Sequence, residues 1–134
     1  MKHIFDTMKV TGVKVPFPNE RVLKVLLSPE IGNTDGCTVL LSLISPGNGT
    51  GSHTHSSDEI MYIVSGRGMA RVRNETSTIR EGILLFAPRD VEHEVRNTGD
   101  ETIKVFCVYV PPLKPAGYHA EAVTKAKEYF DSLQ

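Results

Sequence analysis

An antiparallel all-β fold closed by one C-terminal helix is what this sequence predicts, on three observations. Short runs rich in Val, Leu and Ile recur at even spacing from Arg21 to Val110. Gly, Pro, Asn and Asp punctuate them where turns are needed. Helical spacing appears only after Pro112. Many short strands with Gly- and Pro-rich turns indicate a sandwich or a barrel.

The elements follow in order. Arg21 to Leu27 and Thr38 to Ile44 are Val- and Leu-rich and bounded by turn residues, as strands should be. The segment Ser45-Pro46-Gly47-Asn48-Gly49-Thr50-Gly51 cannot hold regular structure. It lacks the Lys-Ser/Thr ending of a phosphate-binding loop and no helix follows, so it reads as a turn at a barrel rim. Glu59 to Val64 is a strand closed by Ser65-Gly66, and Gly68 to Arg73 is the next, closed by Asn74-Glu75. Ile83 to Phe86 and Val91 to Arg96 flank a turn at Pro88, and Thr102 to Val110 is the most apolar strand. Pro111-Pro112 forces an exit from the sheet. Downstream, Val123, Ala126, Phe130 and Leu133 step by three, four and three, one face of a helix that closes the barrel or covers its outer sheet.

Bulk properties exclude several classes. The chain has 134 residues, a size that fits one domain. With 15 basic and 16 acidic residues its formal net charge is −1, and no Lys/Arg cluster tracks phosphates, so neither nucleic acid nor an acidic membrane is an expected partner. No apolar run approaches the roughly 18 residues a membrane span requires. Met1 to Val10 lacks the apolar core of a signal peptide, and Cys37 and Cys107 form neither a disulfide framework nor a C-x-x-C unit. A cytoplasmic location is the expectation.

Nine residues carry the chemistry. Gly47, His53, His55, Glu59 and Gly66 read G-x5-H-x-H-x3-E-x6-G, and after a further stretch Gly82, Pro88, His93 and Asn97 read G-x5-P-x4-H-x3-N. On a strand, His53 and His55 share one face, and Glu59 is an even step further on, past the short Ser56-Ser57-Asp58 segment. His93 comes from a distant segment, as a folded-over hairpin would supply it. Three imidazoles and a carboxylate suit Zn, Fe, Mn, Ni and Cu, and no thiolate is among them. On a tetrahedral ion the four ligands close the site, as in structural zinc; on an octahedral ion they leave two positions open. The open octahedral site is the expectation.

Both patterns resemble the two signature motifs of the cupin superfamily. The first matches at every fixed position. The second, G-x5-P-x-G-x2-H-x3-N in the family, departs only where Asp90 stands for Gly. Asp tolerates the left-handed turn conformation better than most residues, so the turn can survive. The resemblance implies a double-stranded β-helix, the jelly-roll or RmlC-like barrel, over 36–112, with 1–35 as an N-terminal strand extension and 113–134 as a short C-terminal helix of the same domain. It implies one divalent ion per chain (Fe, Mn, Ni or Zn) held by His53, His55, Glu59 and His93, and a homodimer.

Other residues are weighed by parity. Val105, Cys107 and Tyr109 fall on the inner face of the last strand, so Cys107 and Tyr109 are pocket candidates, with plain core packing the competing reading. Met61 and Ile63 share the parity of Glu59 and line the barrel. Arg71 and Arg73 read as a solvated face, and His3 and His119, outside the motifs, are not assigned to the metal. The function expected is a metal-dependent enzyme of dioxygenase, decarboxylase, isomerase or lyase type on a small oxygenated or sugar-derived molecule. The competing readings are a non-catalytic small-ligand-binding or sensing module and a metal that merely staples the barrel.

Overall fold

A computed structural model describes residues 2–134 of the chain. Among them run β1 (Val13–Val15), β2 (Arg21–Leu27), β3 (Thr38–Ile44), β4 (Asp58–Ser65), β5 (Arg67–Val72), β6 (Glu75–Arg80), β7 (Leu84–Ala87), β8 (His93–Arg96), β9 (Ile103–Val110) and α1 (Gly117–Ser132). A 3-10 turn, Thr7–Lys9, precedes β1. The strands form two antiparallel sheets, one ordered β1-β2-β3-β9-β4-β7 and one ordered β6-β5-β8. Bridges Gly49↔Arg96 and His53↔His93 lay the loop after β3 along β8 and extend the smaller sheet. The result is a jelly-roll barrel.

Alternation builds its interior. In β9, Ile103, Val105, Cys107 and Tyr109 are buried while the residues between them are not. In β4, Glu59, Met61 and Ile63 do the same, and Glu59 pairs directly with Tyr109. Period two therefore places a carboxylate, a thioether, a thiol and a phenol on one inner wall. The helix packs on β2 and β1 through buried Ala122, Val123 and Ala126, and Phe130 meets Phe5 edge-on at 4.8 Å. No helix among the described residues is long and apolar enough to cross a membrane.

Motif residues outside the ligand set are joints. Gly66 has φ 95°, and a Cβ there would lie 2.7 Å from the Ile103 backbone, so glycine alone fits. Asp90 adopts φ 65°, the left-handed turn expected of it in place of glycine. Asn97 is buried; its Nδ2 donates to the carbonyls of Ile44 (2.9 Å) and Glu101 (2.7 Å), and its Oδ1 accepts from the Gly99 amide at 3.0 Å. It ties the end of β8 to the end of β3.

Three elements differ from the sequence reading. β6 follows Asn74 directly, where only a turn is expected; Ile79 is its single buried residue, so it carries no apolar alternation to read. His53 and His55 do not lie on a continuous strand. They sit in an extended loop joined to β8 by one bridge, and β4 starts at Asp58. Leu133 lies beyond the last helical residue and is exposed, so the helical face ends at Phe130.

Candidate metal centre

Backbone pairing brings the four chemistry-bearing residues together. His53 and His93 exchange both amide-to-carbonyl hydrogen bonds, at 3.1 and 3.0 Å, which sets their side chains beside one another. Their ring centroids are 4.3 Å apart. Two residues on, the His55 carbonyl accepts from the Asp90 amide at 2.7 Å, pinning the loop to the left-handed turn. Asp58 holds the same turn through the Arg89 amide, 2.8 Å from its Oδ1, and so fixes the start of β4. Glu59 enters from β4. One ligand atom each from His53, His55, Glu59 and His93 lies within 4.8 Å of all the others, a group that could hold a metal ion.

The donor set fits such an ion. His53 Nδ1 donates to the Gly51 carbonyl at 2.7 Å and His93 Nδ1 to the Val91 carbonyl at 2.9 Å. Each ring is thereby locked with Nε2 facing inward, the usual outer support of a ligating histidine. His55 Nε2 is buried without a hydrogen-bond partner. It lies 3.3 Å from Glu59 Oε1 but is not aligned with it, so its lone pair is left for something else. Adjacent ligands on an ion with bonds of about 2.0–2.2 Å lie roughly 3 Å apart, and the 2.9 Å from Glu59 Oε1 to His93 Nε2 matches.

Electrostatics agrees. Burial pushes the Glu59 carboxyl up, but contacts with His55 and His93 outweigh it and hold the pKa at about 2. Burial likewise favours neutral His93, yet the hydrogen bond to Glu59 prevails and raises its pKa. His53 is lowered, chiefly by burial. Burial raises both Cys107 and Tyr109 far up, and the neighbouring Glu59 charge adds to it, so both stay protonated. Cys107 is thus an inert thiol rather than a nucleophile. Tyr109 packs edge-on against His55, ring centroids 5.3 Å apart, and supports that ligand.

The centre opens into a cavity of about 310 Å³ whose walls include Leu40, Met61, Val105, Cys107 and Tyr109. Both pocket candidates therefore line it, whereas Ile63 lies deeper in the core. Arg71 sits on the outside, ion-paired with Glu92 at 2.8 Å and near Glu94 at 3.8 Å. Arg73 occupies a turn with φ 54°. Several cavity residues escaped the sequence reading, among them Arg21, Ser42 and His119. His119 reaches the cavity because the first turn of α1, which packs on β2 and β1, lines it, a placement no motif encodes. Arg21 shares its parity with Leu23 and Val25, and Ser42 with Leu40 and Ile44, so strand alternation was the available signal.

Comparison with known proteins places these observations. Residues 40–109 match the cupin domain family. The polyketide synthase protein CurC of Streptomyces cyaneus is 31% identical over 131 residues, covering 94% of this chain and 84% of that one. The 5-nitrosalicylic acid 1,2-dioxygenase of a Bradyrhizobium species is 30% identical over 79 residues, 59% of this chain and 38% of the longer enzyme. Among solved structures, a predicted oxalate decarboxylase from Thermotoga maritima superposes with a TM-score of 0.74 at 22% identity, over 81% of this chain and 98% of that one, a likeness of fold. The family model spans more than half of the chain and CurC matches almost all of it, so the chain belongs to the cupin family.

Proposed function

We propose that this chain is a metal-dependent enzyme of the dioxygenase, decarboxylase, isomerase or lyase type, acting on a small oxygenated molecule. One observation carries the reading: the four candidate ligands face a chamber whose exposed surface is largely apolar. Ligand pockets take that form, and a metal that only stapled the barrel would need no chamber. A bound divalent Fe, Mn, Ni or Zn ion would supply Lewis-acid polarisation of a ligand oxygen or, with a redox-active metal, dioxygen chemistry.

The chain's own residues supply the rest. Glu59 stays ionised and offers its carboxylate; the Gly51 and Val91 carbonyls keep His53 and His93 oriented. Leu40, Met61 and Val105 exclude water from the bound molecule. Protonated Tyr109 can donate a hydrogen bond to it but does not act as a base. The names of two relatives, a polyketide synthase protein and a dioxygenase, support a carbonyl- or phenol-bearing substrate. The two free cysteines, one half-buried, fit the reducing cytoplasm. The test is reconstitution with each of the four ions, followed by oxygen uptake and product detection on small phenols and hydroxy acids. Turnover that His93→Ala abolishes while the fold is kept supports the enzyme. Ligands that raise the melting temperature yet give no product with any ion would make the chain a binding module instead.

We also propose a homodimer formed through the outer face of the larger sheet. Ile60, Tyr62, Leu84, Phe86 and Phe106 are exposed there and adjacent in register, across β9, β4 and the edge strand β7. Contiguous apolar patches of this kind mark association surfaces. Light scattering should give a dimer that Phe86→Lys converts to monomer; a wild-type monomer at micromolar concentration contradicts it.

A further inference from the structure

Among the described residues, the buried side-chain polar atoms without a hydrogen-bond partner are Ser42 Oγ, His55 Nε2 and both ring nitrogens of His119. All of these residues line the one cavity. The metal centre accounts for His55 and leaves Ser42 and His119 unexplained. A third group there is also underused. Arg21 carries five N–H donors, yet only Nη1 is engaged, with the Asn19 carbonyl at 3.0 Å, and it forms no ion pair among the described residues. The titratable groups that act on its charge, Tyr109 and Cys107, are kept neutral by burial. A half-buried guanidinium cannot shed its charge, so one with no ion-paired partner is set up for an anion to enter.

Geometry puts this charge next to the metal loop. Arg21 pairs with Ile44 and Leu23 with Ser42, so Arg21 and Ser42 are diagonal neighbours on the inner face of β2 and β3. The Asn19 side-chain amide packs against Gly51, 3.2 Å from where a Cβ would stand, and the Gly51 carbonyl is the one that holds His53. Arg21 is therefore linked through Asn19 and Gly51 to a ligand of the centre. His119, from the first turn of α1, lines the same space.

We propose that Arg21 and Ser42 form an anion subsite beside the metal centre, capped by His119, and that the ligand is a small, largely apolar organic acid. One oxygen function of that acid meets the ion while its carboxylate or phenolate meets Arg21. The ion's share of this arrangement rests on the metal-dependent reading above, and the anion's share does not. The apolar walls favour an aromatic or otherwise hydrocarbon body between the two ends.

The probes are salicylate and its neutral counterpart salicylamide, titrated calorimetrically into metal-depleted and zinc-loaded protein. Wild-type protein should bind salicylate at least about tenfold tighter than salicylamide, the scale of one charge-assisted hydrogen bond. Arg21→Gln should remove that preference while zinc content and melting temperature are unchanged, Arg21→Lys should keep part of it, and Ser42→Ala should weaken salicylate alone. Discrimination that survives in zinc-loaded Arg21→Gln overturns the proposal, since the ion alone would then hold the anion. Should wild-type protein take up none of Fe, Mn, Ni and Zn, the metal reading fails, yet Arg21-dependent discrimination in the metal-depleted form still upholds the subsite. Absence of discrimination in both forms of the wild type overturns it.

Discussion

Two walls of one cavity treat their polar groups in opposite ways. On the metal wall His53, His93 and Glu59 are engaged with the Gly51 carbonyl, with the Val91 carbonyl or with each other. On the wall built by β2 and β3, Arg21 and Ser42 leave most of their hydrogen-bonding capacity idle. The first wall is a structure already assembled by backbone geometry; the second is a set of groups awaiting a partner. Removing a group from the first should therefore cost stability, and removing one from the second should cost only binding.

The largest effect expected is at His93. Its loss leaves the buried Glu59 carboxylate without its 2.9 Å partner, which should destabilise the metal-free fold by about 3–5 kcal/mol. Metal affinity should fall by more than the 10–100-fold typical of losing an outer support. Chemical denaturation with and without zinc measures both. A stability loss under 1 kcal/mol would erase the contrast between the walls.

A pH series sharpens the same point. His93 has a raised pKa in the fold, so its contribution is fully present below the ordinary value of 6.5 and is lost as pH rises through the raised one. Glu59, lowered from 4.5 to about 2, contributes above 4.5 and loses this only as pH falls toward 2. The lowered His53 works against His93, because its neutral form is favoured above 6.5. Comparing wild type with His93→Gln largely cancels the His53 contribution. In metal-free protein the stability gap should be widest between pH 4.5 and 6.5 and shrink above it, and zinc should reopen it at alkaline pH. A gap that widens steadily with pH in chelator would contradict the assignment.

The smallest effect belongs to Arg21. Because Arg21 forms no ion pair among the described residues, Arg21→Gln should leave unfolding free energy within about 0.5 kcal/mol of wild type or raise it. A loss above 2 kcal/mol would show that the guanidinium already has a structural task.

The contrast also explains what the sequence could show. His53, His55, Glu59 and His93 are legible because metal ligation demands particular residue types at spacings that a loop and its paired strand impose. Strands β2, β3, β4 and β9 are legible because both alternation and apolar runs mark them. β6 is not, since a strand exposed on nearly every residue has no pattern to display. Arg21, Ser42 and His119 converge only through strand register and the docking of α1, neither of which a linear spacing encodes. Asn97 was visible as a motif position, but its task as a three-way hydrogen-bonded tie emerges only when Ile44, Gly99 and Glu101 are seen around it.

Elemental analysis of protein purified without added metal, beside a His93→Ala variant, tests the central claim most directly. The account predicts close to one equivalent of Fe, Mn, Ni or Zn per wild-type chain and little in the variant. Wild-type protein that carries none of the four, and takes up none on reconstitution, would contradict it.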